Sequence, residues 1–330
     1  MTVSERIIEK AIAAPKAIVL PEGDEPRTLV AAAEVLRRKI AFPILLGNKD
    51  IISAEAEKLG ADIDGATIID PECSADAEML AGELYELRKN KGLTPDNARG
   101  LVRDPMYYAV MMVKLGLASG LVSGAVNTTG DMLRPALQII KTKRPGGIVS
   151  SAFLMELKDK NIGEDGLLVY SDCVVVPDPT AEELAQIAID TAQTAQVLCG
   201  IPQPRVAMLS FSTKGSADSD SVRKVRQATE LAKGLSPELC IDGEMQFDAA
   251  IIPEIGSAKA PGSPVAGRAN VLVFPDLQAG NIGYKITQRI GDAKCFAVLQ
   301  GLAAPCNDLS RGCSADDIVK TIAATVAQAE

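Results

Sequence analysis

The sequence predicts an α/β protein built from two three-layer domains with mainly parallel sheets and an active-site cleft between the domains. Short apolar runs bounded by Gly, Pro and Asp alternate with longer segments of helical period. This pattern is typical of parallel strands that helices cover on both faces. A chain of 330 residues is also long enough to bury the cores of about two ordinary domains.

The predicted strands are the short apolar runs, each ended by turn-forming residues. In chain order they span residues 17–20, 43–46, 120–123, 167–170, 205–210, 249–252 and 269–274. The predicted helices are the longer segments in which apolar residues recur at helical spacing. They span residues 25–38, 75–91, 107–115, 180–199, 219–233, 282–289 and 315–329.

The last predicted helix carries its own start signal. Ser314 is placed to be its N-cap, and Asp317 three positions later is a short version of the capping-box acid. An apolar stripe from Val319 to Val326 follows. A purely structural role for Asp317, as a helix cap, therefore stands beside any chemical role.

Two interruptions of the pattern predict the domain boundaries, one at residues 142–147 and one around Pro305. The predicted first domain is discontinuous, with residues 1–143 and 301–330, and the C-terminal helix closes it. Residues 144–300 form the predicted second domain. We expect the segment 307–317 to lie between these lobes, where small-molecule sites often form.

Composition excludes several classes of function. The net charge is -9, the pI is about 4.9 and aromatics make up 3%, so we expect neither nucleic-acid nor membrane binding. Histidine is absent, which excludes Ser-His-Asp triads and histidine metal ligands. The seven cysteines contain no C-x-x-C pair, and the N-terminus has no apolar signal-peptide region, so a cytoplasmic protein is predicted.

The segment 307–317 concentrates polar chemistry where a loop becomes a helix. It holds Ser310, Arg311, and the adjacent carboxylates Asp316 and Asp317. A helix start presents unpaired N–H groups and a positive dipole end, which favour an anionic reactant beside a base. Cys313 is a weaker nucleophile candidate, since no histidine is present to activate it.

Three loops rich in Gly, Ser and Thr follow predicted strands and are suited to cradle a phosphate. They span residues 123–130, 212–216 and 256–267, but none has the phosphate-loop or dinucleotide fingerprint. Arg134 precedes Pro135 at a predicted helix start, where a cation is unfavourable unless an anion is near. The candidate contacts for a phosphate-bearing ligand are Ser123, Thr128, Thr129, Arg134, Ser212, Lys214 and, at a basic helix end, Arg88.

A metal site is the weaker interpretation of the predicted turn Asp242-Gly243-Glu244, with Asp248 beyond it. Such spacing of oxygen ligands is also common in solvated loops. We therefore expect no metal.

Eight blocks spread over nearly the whole chain resemble the phosphate acetyltransferases (phosphotransacetylases) of the phosphate acetyl/butyryltransferase family, in the form without an added N-terminal region. The blocks are residues 20–22, 85–92, 123–140, 205–217, 241–250, 259–267, 270–285 and 300–318. The resemblance implies reversible transfer of an acetyl group between coenzyme A and orthophosphate, which gives acetyl phosphate. It also implies a homodimer, no metal in the catalytic step and no permanently bound cofactor, since coenzyme A is a substrate.

Residue by residue, the resemblance places Ser310, Arg311 and Asp317 in the family's catalytic segment, with Asp317 as the proposed base and Asp316 as the adjacent alternative. It implies that Arg88 and Arg134 contact coenzyme A or an anion.

The sequence departs from the family pattern at two places. Asn127 stands where many relatives have histidine, and the stretch 295–300 lacks the usual Gly-Pro.

Three other functions stay open at this point. A phosphate butyryltransferase or broader short-chain acyltransferase would use the same chemistry. A metal- and nicotinamide-dependent decarboxylating dehydrogenase would share a similar two-domain fold. A non-catalytic scaffold is disfavoured by the intact Ser310, Arg311 and Asp317.

Overall fold

The computed structural model describes residues 2–329, and it divides into two compact units. The first unit contains residues 4–143 and 302–329, and the second contains residues 144–301 together with residues 2–3. Each unit has its own mainly parallel sheet with helices, which confirms the predicted α/β class.

The strands are short, as the apolar runs predict. In chain order they are β1 (Ala17–Leu20), β2 (Phe42–Leu46), β3 (Thr67–Ile69), β4 (Gly120–Ser123), β5 (Ser150–Glu156), β6 (Leu167–Ser171), β7 (Arg205–Leu209), β8 (Cys240–Met245), β9 (Val271–Val273), β10 (Lys294–Gln300) and β11 (Cys306–Asp308).

The helices alternate with these strands through most of the chain. They are α1 (Val3–Ala13), α2 (Pro26–Arg38), α3 (Lys49–Leu59), α4 (Ala77–Arg88), α5 (Pro95–Leu101), α6 (Pro105–Lys114), α7 (Thr129–Ile139), α8 (Ala181–Val197), α9 (Asp220–Leu235), α10 (Phe247–Ile251), α11 (Pro253–Lys259), α12 (Leu277–Arg289) and α13 (Ala315–Gln328).

The sheet of the first unit is parallel throughout, with the strand order β11-β4-β1-β2-β3. All strands except the edge strand β3 are largely buried, with Ile18, Leu45 and Leu121 fully excluded from solvent, because helices cover both faces. All carboxyl ends of a parallel sheet lie at one edge, so the loops after the neighbouring strands β1, β4 and β11 meet there. Helix α13 returns the chain's end to this unit and packs on α2 and β4.

The sheet of the second unit has the order β10-β5-β6-β9-β7-β8. Strand β5 pairs antiparallel with both β10 and β6, and the remaining pairs are parallel. The stretch 295–300 lies within β10, where Gln300 donates to Ser150 and Thr191. An edge contact between Tyr170 and Phe274, with ring centroids 5.2 Å apart, forms part of the core.

Two sequence-based expectations in the second unit are wrong. Residues 249–252 do not form a strand, because Phe247–Ile251 is the short helix α10. The expected turn Asp242-Gly243-Glu244 lies instead within strand β8. Strand geometry is tolerated there because each acid has a partner: Asp242 pairs with Lys214, and Glu244 pairs with Arg226.

Within residues 2–329, none of the helices combines the length and the apolar composition needed to cross a lipid bilayer.

Candidate active site

Three loops converge at the carboxyl edge of the first unit's sheet, and each leads into a helix. The loop after β1 leads into α2, the loop after β4 into α7, and the loop after β11 into α13. Because the strands are parallel, all three helices begin at this edge, where their unpaired N–H groups and dipole ends favour anions. Ligands of open α/β sheets bind outside the carboxyl ends of the strands.

Glu22, in the loop after β1, organises the loop after β4. Its side chain is buried, and its two carboxylate oxygens accept hydrogen bonds from the backbone N–H groups of Gly124, Ala125, Val126 and Asn127. The Asn127 amide adds a further donor at 2.9 Å. A buried carboxylate needs this number of donors to offset its lost hydration. Asn127 thus supports the loop, at the position where the sequence departs from the family.

Arg27, at the start of α2, ties the other two loops together. Its Nη1 atom donates to the backbone carbonyls of Arg311 at 2.8 Å and Cys313 at 2.9 Å, and its Nη2 atom donates to the carbonyl of Ala125 at 2.9 Å. Its Nε atom pairs with Glu25 at 2.6 Å. The planar, multidentate guanidinium fixes the backbone of residues 311–313 to the loop after β4, a task that lysine cannot perform.

Ser310 and Arg311 lie in the loop after β11, and both side chains are exposed. The Ser310 hydroxyl oxygen accepts from the N–H of Gly312 at 3.3 Å, and the N–H of Cys313 donates to the Ser310 carbonyl at 2.9 Å. This tight turn leaves the Ser310 hydroxyl proton available for donation. Within the described residues, the Arg311 guanidinium has no ion pair or hydrogen bond, so it can meet an anion directly.

Asp317 is the third residue of α13 and forms the expected capping box. Its Oδ2 atom accepts from the backbone N–H of Ser314 at 2.9 Å and from the Ser314 hydroxyl at 2.8 Å, and the Asp317 N–H donates back to Ser314. The structural role predicted for Asp317 is therefore present. Its half-exposed carboxylate still has the second oxygen available, because both capping bonds use Oδ2.

Asp316 points elsewhere. Its carboxylate pairs with Lys320 at 2.6 Å and lines a groove formed by α2, the segment after α3 and α13. Asp317 instead turns toward Ser314, at the end of the loop that carries Ser310 and Arg311. The two neighbouring carboxylates therefore point in different directions. Of the two, Asp317 is the one directed toward the loop that carries Ser310 and Arg311.

Asp308, the last residue of β11, is an acid to which sequence reasoning gave no role. Its Oδ2 atom accepts from the hydroxyl of Thr129, the first residue of α7. Burial raises the pKa of Asp308 to about 6, and the negative charge of Glu22 adds to the shift, whereas the Thr129 hydrogen bond opposes it.

Two of the predicted ligand contacts in this unit, Thr128 and Ser123, contribute to the local structure. Thr128 is the N-cap of α7 and forms a capping box with Asp131. The bonds from Thr128 lower the pKa of Asp131. Ser123 ends β4 and is buried. Helix α7 therefore begins at Thr129, well before the start that the sequence suggested at Arg134 and Pro135.

Arg88 contacts the helix that carries Arg134. Arg88, at the end of α4, donates to the carbonyl of Gln138 at 3.3 Å, and Arg134 lies one turn earlier on α7. Arg134 is exposed and makes no ion pair within the described residues. Two cationic side chains are thus associated with α7, the helix that begins at the carboxyl edge of the sheet.

Ser212 and Lys214 lie in the second unit and bind to β8. The buried Ser212 hydroxyl donates to Glu244 at 2.8 Å, and the Lys214 ammonium pairs with Asp242 at 2.5 Å. Burial is outweighed by the hydrogen bonds from Arg226, Gly215 and Ser212, which lower the pKa of Glu244 to about 2. In the structure, Ser212 and Lys214 are thus bonded to acids of β8. Their contact with a substrate stays a prediction.

Two further groups drawn from the sequence are the Cys313 thiol and the oxygen ligands around Asp242. Cys313 is buried, and burial raises the pKa of its thiol, so the thiolate that a nucleophile needs is disfavoured. Within residues 2–329, no cluster of three or more His, Cys, Asp or Glu side chains could hold a metal ion, and Asp242 is instead paired with Lys214.

Comparison with known proteins identifies the family. The family model described as "Phosphate acetyl/butaryl transferase" matches residues 2–326. The chain belongs to this family. A phosphate acetyltransferase of Thermoanaerobacterium thermosaccharolyticum is 56% identical over 331 residues, with 100% of both chains covered. A phosphate acetyltransferase of Clostridium acetobutylicum is 52% identical, in an alignment that covers 100% of this chain and 99% of the relative.

Solved structures agree with the family. The crystal structure of a phosphotransacetylase from Streptococcus pyogenes superposes with a TM-score of 0.93 at 48% identity, covering 100% of this chain and 99% of that one. The predicted resemblance to phosphate acetyltransferases and the acyltransferase class are thus confirmed, and the butyryl and dehydrogenase alternatives are not favoured.

Eight of the residues predicted for this acyltransferase lie in the first unit: Ser123, Thr128, Thr129, Ser310, Arg311, Asp317, Arg88 and Arg134. Sequence reasoning missed Glu22, Arg27 and Asp308 as site-building residues. The signal available for Glu22 was its position just after the short apolar strand β1, whereas Asp308 ends the polar strand β11 and gave no such signal. Arg27 gave no local signal.

Proposed function

We propose that this phosphate acetyltransferase transfers an acetyl group reversibly between coenzyme A and orthophosphate at the loop after β11, in a ternary complex and without an acyl-enzyme. The observation that carries the proposal is the placement of Ser310, Arg311 and Asp317 on one loop and the first turn of α13. Coenzyme A acts as a substrate, and no permanently bound cofactor takes part.

Asp317 is the proposed base. A coenzyme A thiol has an ordinary pKa near that of free cysteine, about 8.5, so only a small fraction is thiolate at neutral pH. A carboxylate that takes the sulfur's proton as the sulfur attacks raises the rate by about 10²–10⁴-fold. The sulfur then bonds to the carbonyl carbon of acetyl phosphate. The bond from that carbon to the bridging oxygen breaks, and phosphate leaves with its electron pair.

Arg311 and Ser310 stabilise the charge that moves during this step. The unpaired Arg311 guanidinium is suited to grip the phosphate of acetyl phosphate and to neutralise it as it leaves. The Ser310 hydroxyl, whose oxygen already accepts from Gly312, keeps its proton for the oxyanion of the tetrahedral intermediate. One well-placed donor of this kind contributes about 3 kcal/mol.

Arg88 and Arg134 are proposed to bind the phosphates of coenzyme A. Both residues are cationic, and the Arg88 side chain contacts α7, the helix that carries Arg134, in the unit that holds the proposed catalytic loop. Holding both substrates in register lowers the barrier further, because a bimolecular step becomes effectively unimolecular.

A homodimer in the cytoplasm is the proposed form of the enzyme. Helix α12 and the residue after it expose an apolar stripe, with Ile282 at 58%, Ile286 at 52% and Ile290 at 82% of their maximal surface, which a second copy would cover. Light scattering should give a dimer mass for the wild type and a monomer mass for Ile286→Lys. The exposed thiol of Cys73 suits a reducing compartment.

The test of the reaction is an assay of acetyl phosphate and coenzyme A on the wild type and Arg311→Ala. We expect turnover by the wild type and a loss of about 10²–10³-fold in kcat for Arg311→Ala. Arg37→Ala is the matched control, because Arg37 is an exposed arginine whose ion pair within residues 2–329 is with Glu34, and it should keep wild-type kcat. A folded Arg311→Ala enzyme with near-normal kcat would reject this site.

A further inference from the structure

The loop after β4 bends over the end of β11, at the point where the proposed catalytic loop begins. At one end of the bend, a Cβ added to Gly124 would lie 2.5 Å from the carbonyl oxygen of Leu309. At the other end, the hydroxyl of Thr129 donates to the Asp308 carboxylate. Val126 lies between these two contacts, so it is held beside the start of the proposed catalytic loop.

The backbone of Val126 is fixed by hydrogen bonds on both sides of its peptide group. Its N–H donates to the buried Glu22 carboxylate at 3.0 Å. The carbonyl of the preceding residue, Ala125, accepts from Arg27 at 2.9 Å, and the same guanidinium donates to the carbonyl of Arg311 at 2.8 Å. One arginine thus ties the residue before Val126 to the loop that carries Arg311.

The side chain of Val126 is nevertheless 61% exposed. The other apolar side chains in the described residues of the three converging loops are buried, namely Pro21, Ala125, Leu309 and Cys313. Lone exposed apolar residues are common on protein surfaces, but this one is fixed next to two exposed polar residues, Ser310 and Arg311. Val126 is therefore the apolar group that these loops present to a molecule bound at Ser310 and Arg311.

The acyl substrate has an apolar end that such a group suits. In acetyl phosphate the carbonyl oxygen and the phosphate are polar, and the proposed function assigns them to Ser310 and Arg311. The methyl group remains, and it gains free energy when it leaves water for contact with another apolar group. Valine is branched at Cβ and stiff at χ1, so Val126 also leaves little room for a longer acyl chain.

We propose that Val126 is a specificity-determining residue: its side chain contacts the methyl group of the acyl substrate and restricts the site to short acyl chains. The assignment rests on the proposed function of Ser310 and Arg311. The hydrogen bonds of the Val126 backbone keep the valine in place when a longer chain enters. An apolar pocket discriminates against one methylene group by about 10- to 200-fold.

The acyl preference of Val126 variants tests this assignment. The quantity to measure is kcat/KM with coenzyme A for acetyl, propionyl and butyryl phosphate. The ratio of the propionyl value to the acetyl value should rise by about 10-fold or more in Val126→Ala, which opens room, and should fall in Val126→Ile. Val126→Thr keeps the branched shape, so its ratio should stay close to that of the wild type. Because Val126 is exposed, these variants should fold as the wild type does.

Val30→Ala is the matched control, because Val30 is 41% exposed on α2 and lies outside the three loops. Its ratio should equal that of the wild type. If the wild type is active and the ratio is unchanged in Val126→Ala, or rises equally in Val126→Thr, the role of Val126 is wrong and the proposed function stands. If the wild type turns over none of the three acyl phosphates, the proposed function is wrong, and the role of Val126 is rejected with it.

Discussion

The guanidinium of Arg27 donates a hydrogen bond of 2.8 Å to the backbone carbonyl of Arg311, a residue 284 positions further along the chain. The same side chain bonds Ala125, so one arginine joins the loops after β4 and β11. The backbone of the proposed catalytic loop is thus held by a residue that need not touch substrate.

Arg27→Lys should therefore lower kcat by about 10- to 100-fold while the protein stays folded. Lysine keeps the charge but cannot reach three carbonyls at once, and small displacements of reacting groups reduce rates to this extent. Steady-state kinetics with acetyl phosphate and coenzyme A measure the effect. Arg38→Lys is the matched control, because Arg38 lies outside the three loops and makes a long ion-pair contact of 3.8 Å with Glu34. Equal kcat values for the two variants would show that the Arg27 bonds do not position the loop.

Gly124→Ala should destabilise the protein by about 2 kcal/mol or more. Gly124 has a φ of +117°, and an added Cβ would lie 2.5 Å from the Leu309 carbonyl oxygen. Urea unfolding measures the loss. Gly130→Ala on α7 is the control, because its Cβ would have only the Thr128 hydroxyl within 4 Å, at 3.7 Å. Similar unfolding free energies for the two variants would mean that the loop can yield at Gly124.

Asp308→Asn should be more stable than the wild type above pH 6, by about 2 kcal/mol. The pKa of Asp308 rises from 3.8 to about 6 on folding because of burial, so its ionised form is disfavoured in the folded state. The wild type therefore loses stability relative to the variant as the pH rises from about 4 to about 6, and the difference stays constant above that. Unfolding free energies at several pH values measure this gap. If the wild type were more stable than the variant at pH 7.5, the ionised Asp308 carboxylate would not be destabilising in the folded protein.

Local signals were enough to predict some elements closely. The apolar run 17–20 and the run 120–123 are strands with the predicted bounds, and Ser314 caps α13 as expected, because the residues that determine them are neighbours in sequence. Strand β11 was missed, since it ends in Asn307 and Asp308. Their polar groups are matched by distant partners, and Thr129 lies 179 positions from Asp308.

The site residues likewise fall into those with local sequence signals and those whose partners are distant in sequence. The segment with Ser310 and Arg311 was found because polar chemistry is concentrated there, next to a helix start. Glu22 and Arg27 were missed, because their partners in the other two loops lie 98 to 286 positions away and only the folded sheet brings these loops together.

The role of Asp317 is the central claim, and a comparison of Asp317→Asn with Ser314→Ala separates catalysis from capping. Asparagine can still accept the bonds from Ser314, so the cap survives without a base. Ser314→Ala keeps the carboxylate but removes the side-chain cap, at a cost of about 1 kcal/mol in stability. We expect kcat for coenzyme A acetylation to fall by about 10²–10⁴-fold in Asp317→Asn and to stay within a few-fold of wild type in Ser314→Ala. A near-normal kcat for folded Asp317→Asn would show that Asp317 only caps the helix.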